Sequence, residues 1–250
     1  MENMQAQAVS FGARIEDYKP PVKINLQGDT KCLQTQEVEY CARAVIITSG
    51  ARARKLPAEG ADRLLSRGVH YCATCDGPFY KDKKIMVVGG GNSAVTEAVF
   101  LTRFASEVIM VNKADKFQAE KTILEEALKN PKIKVLPNSQ ITMVQGDTHV
   151  TSVKLKDMKT NQESEINTDA VFVFIGNEPK SEMFKGQLKV TEAGYILTDA
   201  EMRTEIPGVF CAGDVREKSV RQAITAAGDG AVAAIQAEKY LAGKMVGGMV

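Results

Sequence analysis

The chain has 250 residues, 44% hydrophobic and 25% charged, with a formal net charge of +1. That length suits one large domain or two modest ones with ample core, and the near-neutral balance offers no field to recruit nucleic acid or an anionic membrane. The polar start Met1-Glu2-Asn3-Met4-Gln5, the absence of a bilayer-length apolar run and an odd five cysteines argue against a secreted or membrane protein and point to a cytoplasmic enzyme.

Residues from Met1 to about Gly12 read as a short helix, with Met4, Ala8 and Phe11 at helical spacing as its core-facing residues and Gly12 as its stop. A strand-rich meander follows. Val22 to Leu26 alternates, Gly28-Asp29 turns, and Leu33 to Cys41 gives two more short runs. Cys32, Cys41 and Cys211 each stand alone in the sequence, and the first two read as structural residues of the meander. Ala44-Val45-Ile46-Ile47-Thr48, closed by Ser49-Gly50, has the continuous apolar pattern of a strand buried on both faces of a parallel sheet. Ala51 to Val69 is basic and irregular, as expected of a crossover.

Tyr71-Cys72-Ala73-Thr74-Cys75-Asp76 is the stretch that carries chemistry. Two cysteines two residues apart fit within one turn, so their sulfurs can form a disulfide and open again, and Gly77-Pro78 stops the turn. The attacking species in disulfide exchange is a thiolate, and Asp76 is placed to hold or supply the proton that moves as the pair opens and closes. The alternatives are an inert buried pair and half of a zinc site. A zinc site needs four ligands, and only His70 stands beside this pair, so no metal centre is expected.

Ile85-Met86-Val87-Val88 then runs into Gly89-Gly90-Gly91-Asn92-Ser93-Ala94 and an apolar-periodic helix, with a second strand at Val108 to Val111. In that order the pattern is a dinucleotide fingerprint. Gly89 allows the tight turn, Gly91 lets backbone approach a pyrophosphate, and Ala94 lets helix pack on strand, with the helix start attracting the phosphates. At the tip of the second strand, Asn112-Lys113-Ala114-Asp115 has neither the acid that suits NAD nor the arginines that suit NADP. A helix over about 118–129 precedes four short strands, at 132–136, 140–144, 150–156 and 163–166. Ala170 to Gly176 repeats the pattern of a buried strand closing on glycine, so the chain is expected to cross twice between the same two domains. Val209 to Asp214 is a short strand ending in an acid, read equally as an acceptor for polyol hydroxyls or as an ordinary strand-to-loop exit. Arg221-Gln222-Ala223 opens an Ala-rich helix to about Leu241, in which Gly228 and Gly230 suggest a close neighbour, and Gly243 to Val250 reads as a tail.

Residues 66–77 (Ser-Arg-Gly-Val-His-Tyr-Cys-Ala-Thr-Cys-Asp-Gly), the glycine turn at 89–94, Gly-Val-Phe-Cys-Ala-Gly-Asp-Val at 208–215 and Arg-Gln-Ala at 221–223 together resemble the low-molecular-weight thioredoxin reductases, in order over essentially the whole chain. The resemblance implies an α/β protein of two Rossmann-like, three-layer β/β/α nucleotide-binding domains joined by two crossover strands. Residues 1–50 and 179–250 would form the FAD domain, and 51–178 the NAD(P) domain carrying the cysteine pair. It also implies a homodimer that passes a hydride from NADPH to FAD, then electrons to the cysteines and to a thioredoxin disulfide, with the domains rotating between half-reactions. Residue by residue, Cys75 would face the flavin, Cys72 would attack thioredoxin and Asp76 would carry the proton. Gly89, Gly91, Asn92, Ser93 and Ala94, with Lys113, Ile175 and Gly176, would meet the nicotinamide nucleotide. Thr48, Gly50, Gly213, Asp214, Arg221, Gln222 and Ala223 would meet FAD.

Three departures qualify the resemblance. The family's opening strand, glycine turn and helix for the FAD pyrophosphate, a unit of roughly 30 residues or more, is not found, so the FAD domain is expected to be incomplete. The family's His-Arg-Arg cluster for the NADP 2′-phosphate stands here as Asn112-Lys113-Ala114, which favours NADH or a donor such as ferredoxin. Asn92 replaces an Asp often seen after the turn. Two competing readings remain: a related flavin disulfide reductase fed by ferredoxin or another carrier, and a truncated, catalytically silent nucleotide-binding or dimerisation module.

Overall fold

The computed structural model describes residues 2–17 and 19–243, so the expected tail lies outside the described residues from 244 onward. The chain forms two compact units. Met1–Arg52 and Glu178–Val250 make up a split unit, and Ala53–Asn177 is inserted within it.

In the split unit, helix α1 (Glu2–Ser10) buries no residue. The expectation that Met4, Ala8 and Phe11 pack into a core is therefore corrected. Phe11 is 86% exposed, and nothing among the described residues covers that face. Strands β1 (Lys23–Asn25), β2 (Lys31–Gln34) and β3 (Glu39–Ala42) form an antiparallel meander. The alternation read from the sequence sends Ile24 inward, and Leu26 just beyond β1 is also buried. Gln187 clamps this edge, donating to the Ile24 carbonyl and accepting the Leu26 N–H. Cys32 and Cys41 do not stand alone. They face each other across β2 and β3 and are joined by a disulfide. Strand β4 (Val45–Ile47) also departs from expectation. It pairs in parallel with one neighbour, and Ile46 on it is 37% exposed, so it is not buried on both faces.

The chain crosses into the inserted unit through β5 (Ala51–Ala53). There, β6 (Val69–His70) and the one-turn helix α2 (Ala73–Asp76) precede β7 (Lys84–Val88), α3 (Asn92–Leu101), β8 (Glu107–Val111), α4 (Lys121–Lys129) and β9 (Ile133–Leu136). An antiparallel sheet of β10 (Ser139–Gln145), β11 (Ser152–Asp157) and β12 (Glu163–Asn167) follows, and β13 (Ala170–Val173) returns to the first sheet. That sheet is parallel, with the order β6-β13-β7-β8-β9.

Its layers follow from the two-residue period of a strand. Along β7, Ile85 and Val87 join Val108, Met110 and Phe172 against Ala94, Val95, Ala98 and Leu101 of α3. The alternate residues Met86 and Val88 join Ile109, Val111 and Val171 against Ile141, Val144, Val153 and Leu155 of the antiparallel sheet. The result is a β/β/α sandwich. Each large side chain buried this way contributes about 1.5–3 kcal/mol.

The chain leaves through β14 (Asn177–Pro179), which pairs with β5, and Arg52 Nε donates to Glu178 Oε2 at 3.0 Å. Back in the split unit, β15 (Val209–Cys211) runs parallel to β4, and α5 (Ala223–Leu241) packs Ala233 and Ala237 against Phe210. Gly228 and Gly230 in α5 have nothing within 4 Å of where a Cβ would stand, so no other backbone among the described residues makes the close approach expected there. No helix among the described residues is long and apolar enough to cross a membrane.

Candidate active site

Cys72 and Cys75 are joined by a disulfide. Cys72 is the N-cap of α2, and its sulfur accepts the Cys75 N–H at 3.2 Å, with Thr74 Oγ1 at 3.4 Å. When the pair is reduced, negative charge on Cys72 is met by an amide and a hydroxyl, which favours the thiolate. At Gly77, where the turn ends, a Cβ would stand 2.8 Å from Leu101 Cδ2 of α3, so any larger residue would push that leucine aside.

Asp76 is held from behind. His70 Nδ1 lies 3.2 Å from its Oδ2, and His70 Nε2 lies 2.7 Å from the Tyr80 hydroxyl. A carboxylate only accepts, so the His70 proton sits on Nδ1, and the Tyr80 O–H donates to Nε2. The His70 ring stacks at 5.2 Å on Phe172, and Tyr80 meets Phe172 edge-on. Burial pushes His70 below its ordinary 6.5 and the Asp76 carboxylate only partly opposes this, so His70 is neutral. Burial, then the charges of Asp76 and Asp169, push Tyr80 up.

On the same unit, the carboxyl ends of β7, β8 and β13 open onto a cleft of about 690 Å³, lined among others by Gly89, Gly91, Asn92, Ser93, Lys113 and Gly176. That volume is in the range of small-molecule sites. Gly89 has φ +139°, and a Cβ there would stand 2.3 Å from the Phe174 carbonyl oxygen. Ala94, against which it packs, is fully buried beneath the turn rather than in the cleft. Gly91 caps α3 with no side-chain bond and with open space where a Cβ would be, so the first N–H groups of α3 face the cleft uncovered. The Asn92 side chain is already committed. Its Nδ2 donates to Glu120 Oε1, and its Oδ1 accepts the Glu120 N–H at 2.7 Å. Asn112 is buried, and its Nδ2 donates to the Ala114 and Lys116 carbonyls. Lys113, next to Asn112, is exposed at the β8 tip. Ile175 lines the cleft beside Gly176.

In the split unit the parallel register pairs Ile47 with Cys211, so both strand exits fall at the same end. Thr48 and Gly50 leave from one strand, Gly213 and Asp214 from the other. Gly213 packs against α5, where its missing Cβ would meet Ala226 Cβ at 3.6 Å. At the start of α5, Gln222 forms a capping box with Thr225, and Ala223 opens the helix exposed. The Arg221 guanidinium lies 4.0 Å over the Tyr195 ring. Asp229, two turns into α5, ties the corner together by accepting from the Gly213 N–H, Lys218 and Arg216. Burial works against its charge, but those three donors hold its carboxyl below the ordinary range.

The profile of the pyridine nucleotide-disulphide oxidoreductases matches residues 6–230. The chain belongs to that family. It is 44% identical over 248 residues to the thioredoxin reductase of Peptoclostridium acidaminophilum, covering 96% of this chain and 78% of that protein. It is 44% identical over 245 residues to that of Mycolicibacterium smegmatis, covering 97% and 78%. The solved thioredoxin reductase of Streptococcus pyogenes superposes with a TM-score of 0.91 at 39% identity, over 97% of this chain and 79% of that one.

Enzymes of the pyridine nucleotide-disulphide oxidoreductase family work with a flavin and a pyridine nucleotide, and two observations test whether these residues fit such groups. In the split unit, Asp214 Oδ1 and Arg221 Nε are buried with no hydrogen-bond partner among the described residues. Each such atom costs about 1–3 kcal/mol unless a ligand supplies the bond, and hydroxyls of a flavin's ribityl chain are suitable partners. In the inserted unit, the uncovered start of α3 over a glycine floor fits a pyrophosphate. Sequence reasoning singled out the cradle glycines but passed over Glu120, Tyr80 and Asp229. They act from 28, 5 and 16 residues away from Asn92, Cys75 and Gly213, and no local motif marks them.

Proposed function

We propose that this oxidoreductase is a thioredoxin-disulfide reductase, taking electrons from a nicotinamide nucleotide through FAD to the Cys72–Cys75 pair and on to a thioredoxin disulfide. The observation that carries this is the Cys72–Cys75 disulfide beside the braced Asp76 carboxylate, on the unit that also holds the nucleotide cleft. FAD, when bound, supplies the two-electron link between hydride donor and disulfide. We assign its ribityl and pyrophosphate contacts to Thr48, Gly50, Gly213, Asp214, Arg221, Gln222 and Ala223, and the nicotinamide nucleotide to the α3 start, Lys113, Ile175 and Gly176. Ala94 acts there through packing, and Asn92 through its backbone. The inserted unit thus serves as the NAD(P) domain and the split unit as the FAD domain, with a homodimer as the working assembly and a cytoplasmic setting.

Once reduced, the Cys72 thiolate attacks one sulfur of the thioredoxin disulfide, and the other sulfur leaves and takes a proton held at Asp76. Cys75 then gives its proton to Asp76 and attacks the Cys72 sulfur, reclosing the disulfide. The second thioredoxin sulfur leaves as a thiolate and takes that proton from Asp76, releasing dithiol thioredoxin. His70 keeps the carboxylate aimed throughout. The donor we favour is NADH, because Lys113 is a single point charge where a 2′-phosphate needs a guanidinium fork.

A spectroscopic titration tests the reading. The chain incubated with FAD and desalted should keep a flavin spectrum, bleach with NADH, and recover its colour when oxidised thioredoxin is added without air. Flavin that stays oxidised with NADH, NADPH and reduced ferredoxin alike contradicts it. Bleaching by ferredoxin alone moves the donor assignment.

A further inference from the structure

The disulfide between Cys32 and Cys41 has no part in the chemistry above, yet its surroundings repeat those of the redox pair. The Thr35 N–H bonds the Val38 carbonyl, so the next facing pair, Gln34 and Glu39, does not exchange bonds, and Leu33 with Tyr40 does. Cys32 and Cys41 therefore occupy a non-hydrogen-bonded site, where facing side chains come closest. Cys41 is exposed and Cys32 half-buried. A Glu39 carboxylate oxygen lies within 4.8 Å of both sulfurs, as a carboxylate accompanies Cys72 and Cys75. Beside Cys32 opens a cleft of about 460 Å³ lined by Lys23, Asn25, Glu39 and Gln187. It gives an incoming thiol access, a cation and a proton carrier. The remaining cysteine is a useful contrast: Cys211 is buried, and its thiol is pushed up to about 12, mainly by burial.

We propose that Cys32 and Cys41 form a second thiol–disulfide exchange site, on the split unit, that accepts an electron pair from an external dithiol. One thiolate of the dithiol attacks the exposed Cys41 sulfur, giving a mixed disulfide, and Cys32 leaves as a thiolate that takes up a proton by way of Glu39. The second thiol of the reductant then attacks its own sulfur in the mixed disulfide, and Cys41 leaves and is protonated. The reductant ends as a disulfide, and two electrons and two protons have entered the site. The fold tolerates this, because the hairpin bonds from Thr35 to Val38 already close the loop that the disulfide spans.

Peptide mapping reads the site directly. Trypsin places Cys32 and Cys41 together on the peptide 32–43, Cys72 and Cys75 on 68–81, and Cys211 on 204–216. The folded full chain, treated with dithiothreitol in native buffer and then iodoacetamide, should carry two alkyl groups on 32–43 and none on 204–216, with an unchanged far-ultraviolet circular dichroism spectrum. Without dithiothreitol, 32–43 should carry none and be lighter by two hydrogens. Alkylation of 32–43 only after denaturant would overturn the proposal, as would double alkylation without reductant or loss of the folded spectrum. Peptide 68–81 reports the other pair in the same digest, so failure at one site is separable from failure at the other.

Discussion

Asp76 and its support make the most specific residue-scale claims. If Asp76 carries the proton, Asp76→Asn should lower kcat for thioredoxin reduction by about 10²–10⁴-fold while leaving the flavin spectrum and KM for the nucleotide near those of the parent. Steady-state kinetics at saturating nucleotide check this. His70 adds a pH signature. Its folded value lies below the ordinary 6.5, so unfolded chains take up the extra proton first as pH falls. Its stabilising contribution is complete above about 6.5 and is lost as pH falls toward the depressed folded value. Urea unfolding midpoints should decline through that window in the parent and decline less in His70→Asn. Equal slopes would remove the buried neutral histidine from the account. Gly89 is a third case. A side chain there meets the Phe174 carbonyl oxygen at 2.3 Å in a left-handed backbone, so Gly89→Ala should cost at least about 2 kcal/mol in denaturant unfolding and weaken nucleotide binding.

At the scale of elements, α5 is bonded to the strand exit it faces through one carboxylate. Asp229 joins the Gly213 N–H, Arg216 and Lys218, and removing it strands two cations and an amide. Asp229→Ala should therefore destabilise the chain by about 3 kcal/mol and loosen retention of added FAD on desalting, while Asp229→Glu should restore part of both. The elements show what sequence could and could not convey. Strands β7 and β13 were legible because an unbroken apolar run closing on glycine has few other uses, β8 because its apolar run follows the helix of the dinucleotide pattern, and the helix after the glycine turn followed from its spacing. Strand β4 has the same apolar pattern, yet one side of it lacks a pairing partner among the described residues, since composition reports what a strand can bury and not what arrives to cover it. Helix α1 misled for the same reason, its apolar spacing being real and its Phe11 face uncovered. The Cys32–Cys41 bond was invisible because register across a hairpin, not proximity in sequence, brings the two together.

For the whole molecule, the glycine cradle, the cysteine pair and the Gly-Asp exit were each readable as separate motifs. Their grouping was also expected, since the two strand exits closing on Gly50 and Gly176 and the family resemblance put the glycine cradle and the cysteine pair together between two crossings. The inserted unit is bounded by β5 and β14, which lie some 125 residues apart. The structure puts the disulfide and the nucleotide cleft on one unit and the unbonded Asp214 Oδ1 and Arg221 Nε on the other, so an electron pair that travels the proposed route must pass between units at the dithiol. That makes the cysteines the obligatory exit. The most direct test is NADH-driven reduction of thioredoxin by the FAD-loaded chain and by its Cys72→Ser and Cys75→Ser variants, followed as free thiol. The account predicts turnover in the parent, with both variants retaining flavin colour and losing at least about 100-fold in rate. Parent-like turnover in either variant would contradict it.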